Sequence, residues 1–377
     1  MKKSFLYAII SLSTIFLITS CKKDGYTTKP LVVEENYDTA NYKSNIAELL
    51  PYTQSFDELV IELKKGRTNG VKLDADKLNK FLVNYNGVTL YTDMLLYNVD
   101  FLLDAEYGWL KKASNASGNT FNPDSSNGLG GTYGGYLFTD KGHEPEQMAE
   151  KNLFGSYFSK MAIQLLIINE PTLKSVDQAL FLIGLTPQFK NSGAAKHGAY
   201  ADKYMANYVA RRDKNDGNGY YSQIKYNFLK LQAALKAGSE YNKERDEARN
   251  AIREILEKAT FATVINYCHS SIANMSQTEM TEAQKAATLH AMAECAGFAT
   301  GWVDMSRKTM SFEKSIQLLT LLQSKPDALG NPLLFINDRV NQVNNINQII
   351  DLVQTELKFT NAEVEDFKKN WVTEQNR

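Results

Sequence analysis

His290 and Glu294 stand four residues apart in helix-forming sequence, so their side chains share one face of a helix. Ala283, Ala287, Gly297 and Gly301 lie on the same face, and residues that small let another backbone come close and enclose the pair. A buried imidazole and carboxylate can hold a divalent metal or work as an acid–base pair, and they can equally satisfy each other or a backbone group. A short polar link joins Arg245–Ile272 to Thr281–Asp304. Folding the chain about that link brings His269 within about one turn of His290. His269, His290 and Glu294 are therefore the candidate metal ligands, with iron or another divalent metal as the cofactor to consider. The same folding sets Cys268 and Cys295 about a turn or more apart, which argues against a disulfide.

A second group of polar residues opens another helix. Gly142-His143-Glu144-Pro145-Glu146-Gln147-Met148-Ala149-Glu150-Lys151 has the flavour of a zinc helix but lacks the second histidine, and Pro145 breaks the spacing. Pro145 fits a first helical turn, where the dipole favours Glu144 and Glu146. Gln147, Glu150 and Lys151 then share a side, and with His143 and Glu144 they are the candidate ligand-binding residues. The plainer alternative is a solvated, well-capped helix start. Asp213-Lys214-Asn215-Asp216-Gly217-Asn218-Gly219 imitates half a calcium loop, but Gly217 stands at a ligand position and Ile224 where the bidentate glutamate belongs, so it reads as a helix-ending turn. No nucleophile elbow, zinc-protease motif or Cys–His dyad is present.

The elements that position these groups are helices. None of the eight prolines falls between Gln188 and Lys325, and apolar residues recur at three and four positions, most clearly at Ala248, Ile252, Ile255, Ala259 and Ala262. Helices are expected near 43–64, 75–84, 89–112, 144–168, 175–184, 198–212, 219–237, 245–272, 281–304, 311–323, 341–358 and 361–371. Ser175 is the expected cap of the 175–184 helix. The long non-helical stretch, Ser114–Lys141, holds five glycines between Gly128 and Gly135. It reads as an ordered loop with positive φ at its glycines, and as a candidate lid. The absence of a fixed-period repeat argues against a solenoid and for compact helical bundles.

The ends of the chain speak to location. Lys2 and Lys3, the uncharged run Phe5–Ile18 and the lipobox Ile18-Thr19-Ser20-Cys21 form a lipoprotein signal, cut before Cys21, with acyl chains on that thiol. Two or more acyl chains anchor stably where one does not. Residues 1–20 are thus the signal peptide, 21–42 a lipidated tether without helical periodicity, and 43–377 the helical domain. With 42 Lys and Arg against 43 Asp and Glu, the charge is near neutral, which argues against nucleic acid as a partner.

Three further sets of residues carry a resemblance. They are Tyr136-Leu137-Phe138 with Gly142-His143-Glu144, Gln147, Glu150-Lys151, Leu153 and Gly155; Lys203-Tyr204-Met205, Tyr208 and Arg212-Asp213; and His290-Ala291-Met292-Ala293-Glu294 with Gly297-Phe298. In order and spacing the chain resembles the imelysin-related lipoprotein family, domain of unknown function 4856. The resemblance implies an all-α fold of paired helical bundles, an outer-membrane lipoprotein facing the periplasm or the cell surface, and an accessory role in iron or haem uptake beside a TonB-dependent receptor. A metal-dependent peptidase of the imelysin type and a glycan-binding lipoprotein of a nutrient importer are the alternatives. Where the family carries a His-His-Trp-Asp-Glu-Ala-like segment, this chain has Lys174-Ser175-Val176-Asp177-Gln178-Ala179, which puts an inherited metal site in doubt.

Overall fold

The apolar periodicity builds helices: in the computed structural model the fold is all-α, and 63% of the described residues are helical and 3% are in strands. The structure describes residues 29–94, 96–106, 108–125, 128–193, 197–198 and 201–377. The signal peptide, Cys21 and the first part of the tether lie outside the described residues. None of the described helices is long and apolar enough to cross a membrane.

Helix α1 (Leu50–Lys65) shows the local logic. Phe56, Leu59, Val60 and Leu63 fall on one stripe and are buried, while Pro51 occupies the first turn, where its missing N–H costs nothing. Helix α2 (Ala75–Val83) starts on Asp74, whose carboxylate accepts the amides of Asp76 and Lys77. The single helix expected over 89–112 is two, α3 (Leu96–Leu103) and α4 (Trp109–Ala116). The Asp104 side chain accepts the Glu106 amide at 2.9 Å in an exposed turn. Gly108 passes so close to the Leu102 and Asp104 carbonyls that a Cβ there would lie 2.6 Å from each.

The glycine-rich stretch ends in a hairpin. β1 (Gly131–Tyr133) pairs antiparallel with β2 (Tyr136–Phe138), Tyr133 opposite Tyr136. Gly134 and Gly135 make the turn with φ of +54° and +85°, the left-handed pair that a two-residue hairpin demands.

Helix α5 (Pro145–Leu153) begins at Pro145, as expected, and continues through wide π-helical turns at Phe154–Ser159 and Gln164–Ile168. Helix α6 (Leu173–Ile183) is capped by Thr172; Ser175, expected as the cap, is instead the third helical residue and accepts the Thr172 amide in return. Then follow α7 (Tyr204–Arg211), α8 (Tyr220–Ala237), α9 (Asn242–Met275), α10 (Glu282–Gly301), α11 (Phe312–Leu321) and α12 (Arg339–Leu357).

From Leu31 to Arg377 these helices pack as one unit around a continuous core. The 34-residue α9 lies against α8, α10 and α12, and α10 lies against α5. The α5–α10 crossing is backbone to backbone: a Cβ on Gly297 would sit 2.5 Å from the Gln147 carbonyl oxygen, and one on Gly301 2.5 Å from that of Asn152. The packed body also begins before residue 43. Tyr37 is buried and donates to Asp177 at 2.6 Å, and the Asp38 amide donates to Gln232 at 2.8 Å, so the last part of the expected tether is docked.

Candidate functional site

The close crossing of α5 and α10 brings together the two groups of residues that the sequence sets apart. Glu144 stands just before α5 and is fully buried, its carboxylate turned away from the helix amides. Its Oε2 meets His290 Nδ1 of α10 at 2.6 Å, and its Oε1 accepts Arg67 at 3.1 Å. Glu146 takes the other side of the same guanidinium at 2.5 and 2.9 Å. His290 Nε2 faces Glu294 at 3.4 Å. Lys151 follows, 3.5 Å from Glu294 and 2.9 Å from Glu150. Tyr208 of α7 reaches Glu294 at 3.5 Å, and Tyr267 of α9 lies beside it, the Glu294 charge adding to burial in raising its hydroxyl well above the usual range. Tyr136 of β2 stacks on the His290 ring with centroids 4.3 Å apart, and the Arg67 guanidinium lies 4.9 Å from the same tyrosine ring. Positive and negative groups thus alternate from Arg67 to Glu150 across α5, α10 and the turn after α1.

Burial sets the electrostatics, and the neighbours then decide the sign. Burial alone would lower the His290 imidazole, but the Glu144 carboxylate, with Glu294 behind it, holds it above its ordinary value. Burial also disfavours the Lys151 ammonium, yet Glu150, Tyr208 and Glu294 hold it well above its usual range. Glu146 goes the other way: burial and the adjacent Glu144 charge push it up to about 7, Arg67 notwithstanding. Within the cluster, Glu146 is thus the carboxyl that burial shifts furthest toward neutral pH. Gln147 is buried beside it with its Oε1 unpartnered, while its Nε2 donates to Glu146 at 3.3 Å.

As a metal centre the cluster fits poorly. Arg67, Lys151 and His290 already neutralise the carboxylates, and both His290 ring nitrogens face one. Among the described residues, no group of three or more His, Cys, Asp or Glu is placed to hold a metal ion. His269 does not join His290: its Nε2 meets the Val364 carbonyl at 3.2 Å, and burial and the nearby Lys368 lower it. Cys268 and Cys295 are free, buried thiols. They form no disulfide, and burial together with Cys268 raises the Cys295 thiol well above its usual range.

His143 points away from its neighbour Glu144 and into the wall of a cavity of about 760 Å³. Tyr97 and Phe101 of α3 and Trp109 of α4 supply rings, and Leu129 and Leu329 supply aliphatic surface. Asp100, Asp104, Lys112, Asp140, Lys141 and Asp327 stand around them. His143 packs against Trp109 with centroids 5.3 Å apart, and its Nε2 is tied to the Gln323 carbonyl at 2.9 Å. Burial lowers its imidazole to about 4, so it is neutral at physiological pH. The glycine-rich stretch contributes to this cavity through Gly128, Leu129 and Thr139.

Of the candidate residues, Glu144, Glu150, Lys151, His290 and Glu294 converge in the cluster, Gln147 borders it, His143 lines the cavity, and His269 stands elsewhere. Sequence reasoning misses Arg67, a lone arginine after α1 with no spacing signal, and the rings of Tyr97 and Trp109. No protein-family model, curated protein or solved structure matches the chain.

Proposed function

We propose that this chain is a lipid-anchored binding protein that captures a small, hydroxyl-rich organic ligand in the Trp109 cavity. The observation that carries this reading is the cavity itself. Its volume of about 760 Å³ lies in the range that organic ligands occupy, and it joins aromatic and aliphatic surface to a rim of hydrogen-bonding groups. Such a surface suits a glycan, whose ring faces are apolar and whose hydroxyls donate to carboxylates and accept from lysines. The anchor follows from the lipobox ending at Cys21. It would hold the protein at the outer membrane as an accessory of nutrient uptake beside a TonB-dependent receptor.

The iron or haem role and the paired bundles implied by the imelysin likeness would follow if that likeness extends to function. Iron asks for several nitrogen or oxygen donors converging on one point, and among the described residues no three His, Cys, Asp or Glu do so; haem asks for a free axial donor. His143 would have to release the Gln323 carbonyl, and His290 one of its carboxylates. A glycan asks for neither. Peptide hydrolysis draws no support from the cluster, whose acids and bases pair with one another.

Thermal melts against a panel of mono- and oligosaccharides, amino acids, haem, ferric citrate and ferrous iron test the reading, because a ligand that binds only the native state raises the melting temperature. Stabilisation by saccharides is expected. Stabilisation confined to haem or iron would replace this reading with the iron one, and a silent panel would remove it.

A further inference from the structure

One imidazole holds both ends of the segment that walls the cavity. At its start, Tyr136 stacks on the His290 ring; at its end, Glu144 accepts from His290 Nδ1 at 2.6 Å. Between them the chain closes a tight turn. The Thr139 amide donates to the His143 carbonyl at 2.8 Å, the Gly142 amide to the Thr139 carbonyl at 2.9 Å, and the His143 amide to Thr139 Oγ1 at 3.2 Å. Residues 139–143 are therefore tied to one another, and Thr139, Asp140, Lys141 and His143 of that turn line the cavity.

We propose that His290 is a proton-operated latch on the cavity wall, closed when the imidazole is a cation and loosened when it is neutral. The inference rests on reading the cavity as the ligand site and adds its regulation. As a cation the ring carries an N–H on both nitrogens: Nδ1 donates to Glu144 and Nε2 faces the Glu294 carboxylate at 3.4 Å. A neutral ring has one N–H, so one carboxylate would face a nitrogen lone pair, and Tyr136 would lose the attraction of its ring for a cation. The groups facing His290 come from every element packed on it. Glu144 and Glu146 stand at the start of α5, Arg67 follows α1, Tyr136 belongs to β2, and Glu294 is on α10. Behind Glu294 stand Lys151, Tyr208 and Tyr267, with Arg211 over the Tyr208 ring. A ligand that needs the closed wall binds better with His290 charged, and by linkage its binding favours the charged ring.

Hydrogen exchange of the folded chain, at about pH 6 and about pH 8.5 and corrected for intrinsic rates, tests the latch without any ligand. The Thr139, Gly142 and His143 amides should lose protection roughly fivefold at the higher pH, while the middle of α9 does not change. His290→Gln should abolish the pH dependence. Glu146→Gln should keep it, which separates His290 from Glu146, the neighbouring carboxyl pushed up to about 7. Equal protection of these amides at both pH values in the unmutated protein overturns the latch, and a pH dependence lost in Glu146→Gln overturns its assignment to His290. If His290→Gln does not fold, the unmutated protein and Glu146→Gln still decide. A silent ligand panel with a pH-dependent wall would remove the binding reading and leave the latch; saccharide binding with a pH-independent wall would do the reverse.

Discussion

Lys151 shows how single residues in this cluster depend on one another. Its ammonium lies between Glu150 and Glu294 with almost no solvent contact. Lys151→Met keeps the volume but strands two carboxylates, and it should destabilise the fold by about 3 kcal/mol in urea unfolding. A loss under about 1 kcal/mol would mean that water screens the pair as it does a surface ion pair. His143 makes a prediction in pH. Its folded value of about 4 lies below the ordinary 6.5, so the unfolded chain takes up the proton first as pH falls. The penalty is absent above about pH 6.5 and grows from there down to about pH 4. His143→Gln should flatten that part of the stability curve, measured by thermal melts across the range. At this scale the sequence is half legible. His290 and Glu294 are readable as a pair because one helix fixes both, whereas Arg67 arrives from a loop through tertiary packing, and no local spacing announces it.

Among the elements, helices are legible wherever an apolar stripe is unbroken, as in α1 and α9. The expected 89–112 helix fails because a turn at Asp104 and Gly108 overrides good helical propensity on either side. The hairpin is missed for a related reason: three-residue strands carry too little alternation to stand out from a glycine-rich loop. The small residues of α10 are legible as a close-approach face, and Gly297 and Gly301 do meet the α5 backbone. Gly297→Ala should therefore push α5 and α10 apart. A Cβ only 2.5 Å from a backbone carbonyl has no rotamer to relieve it, and the expected cost is about 2 kcal/mol. Because α5 and α10 carry opposite halves of the cluster, the same variant should also move the His290 resonances in a proton NMR titration. Gly135→Ala is the contrast, with no atom within 4 Å of its Cβ and only its positive φ to strain.

At the scale of the whole molecule, the near-neutral charge and helical class are read directly from composition and periodicity, while the ligand is not, because a cavity is assembled from residues as distant as Tyr97 and Leu329. The anchor proposal predicts that Cys21→Ser abolishes incorporation of labelled palmitate; label entering the Ser variant would refute it. The binding proposal meets its sharpest trial in one paired titration. Leu329→Trp places an indole in the cavity and leaves the Arg67–Glu150 cluster untouched. Calorimetric titration of both proteins with the saccharide panel should give binding to the unmutated chain, and none to Leu329→Trp at an equal melting temperature. Equal binding to both, or binding to neither, would contradict the assignment of this cavity as the ligand site.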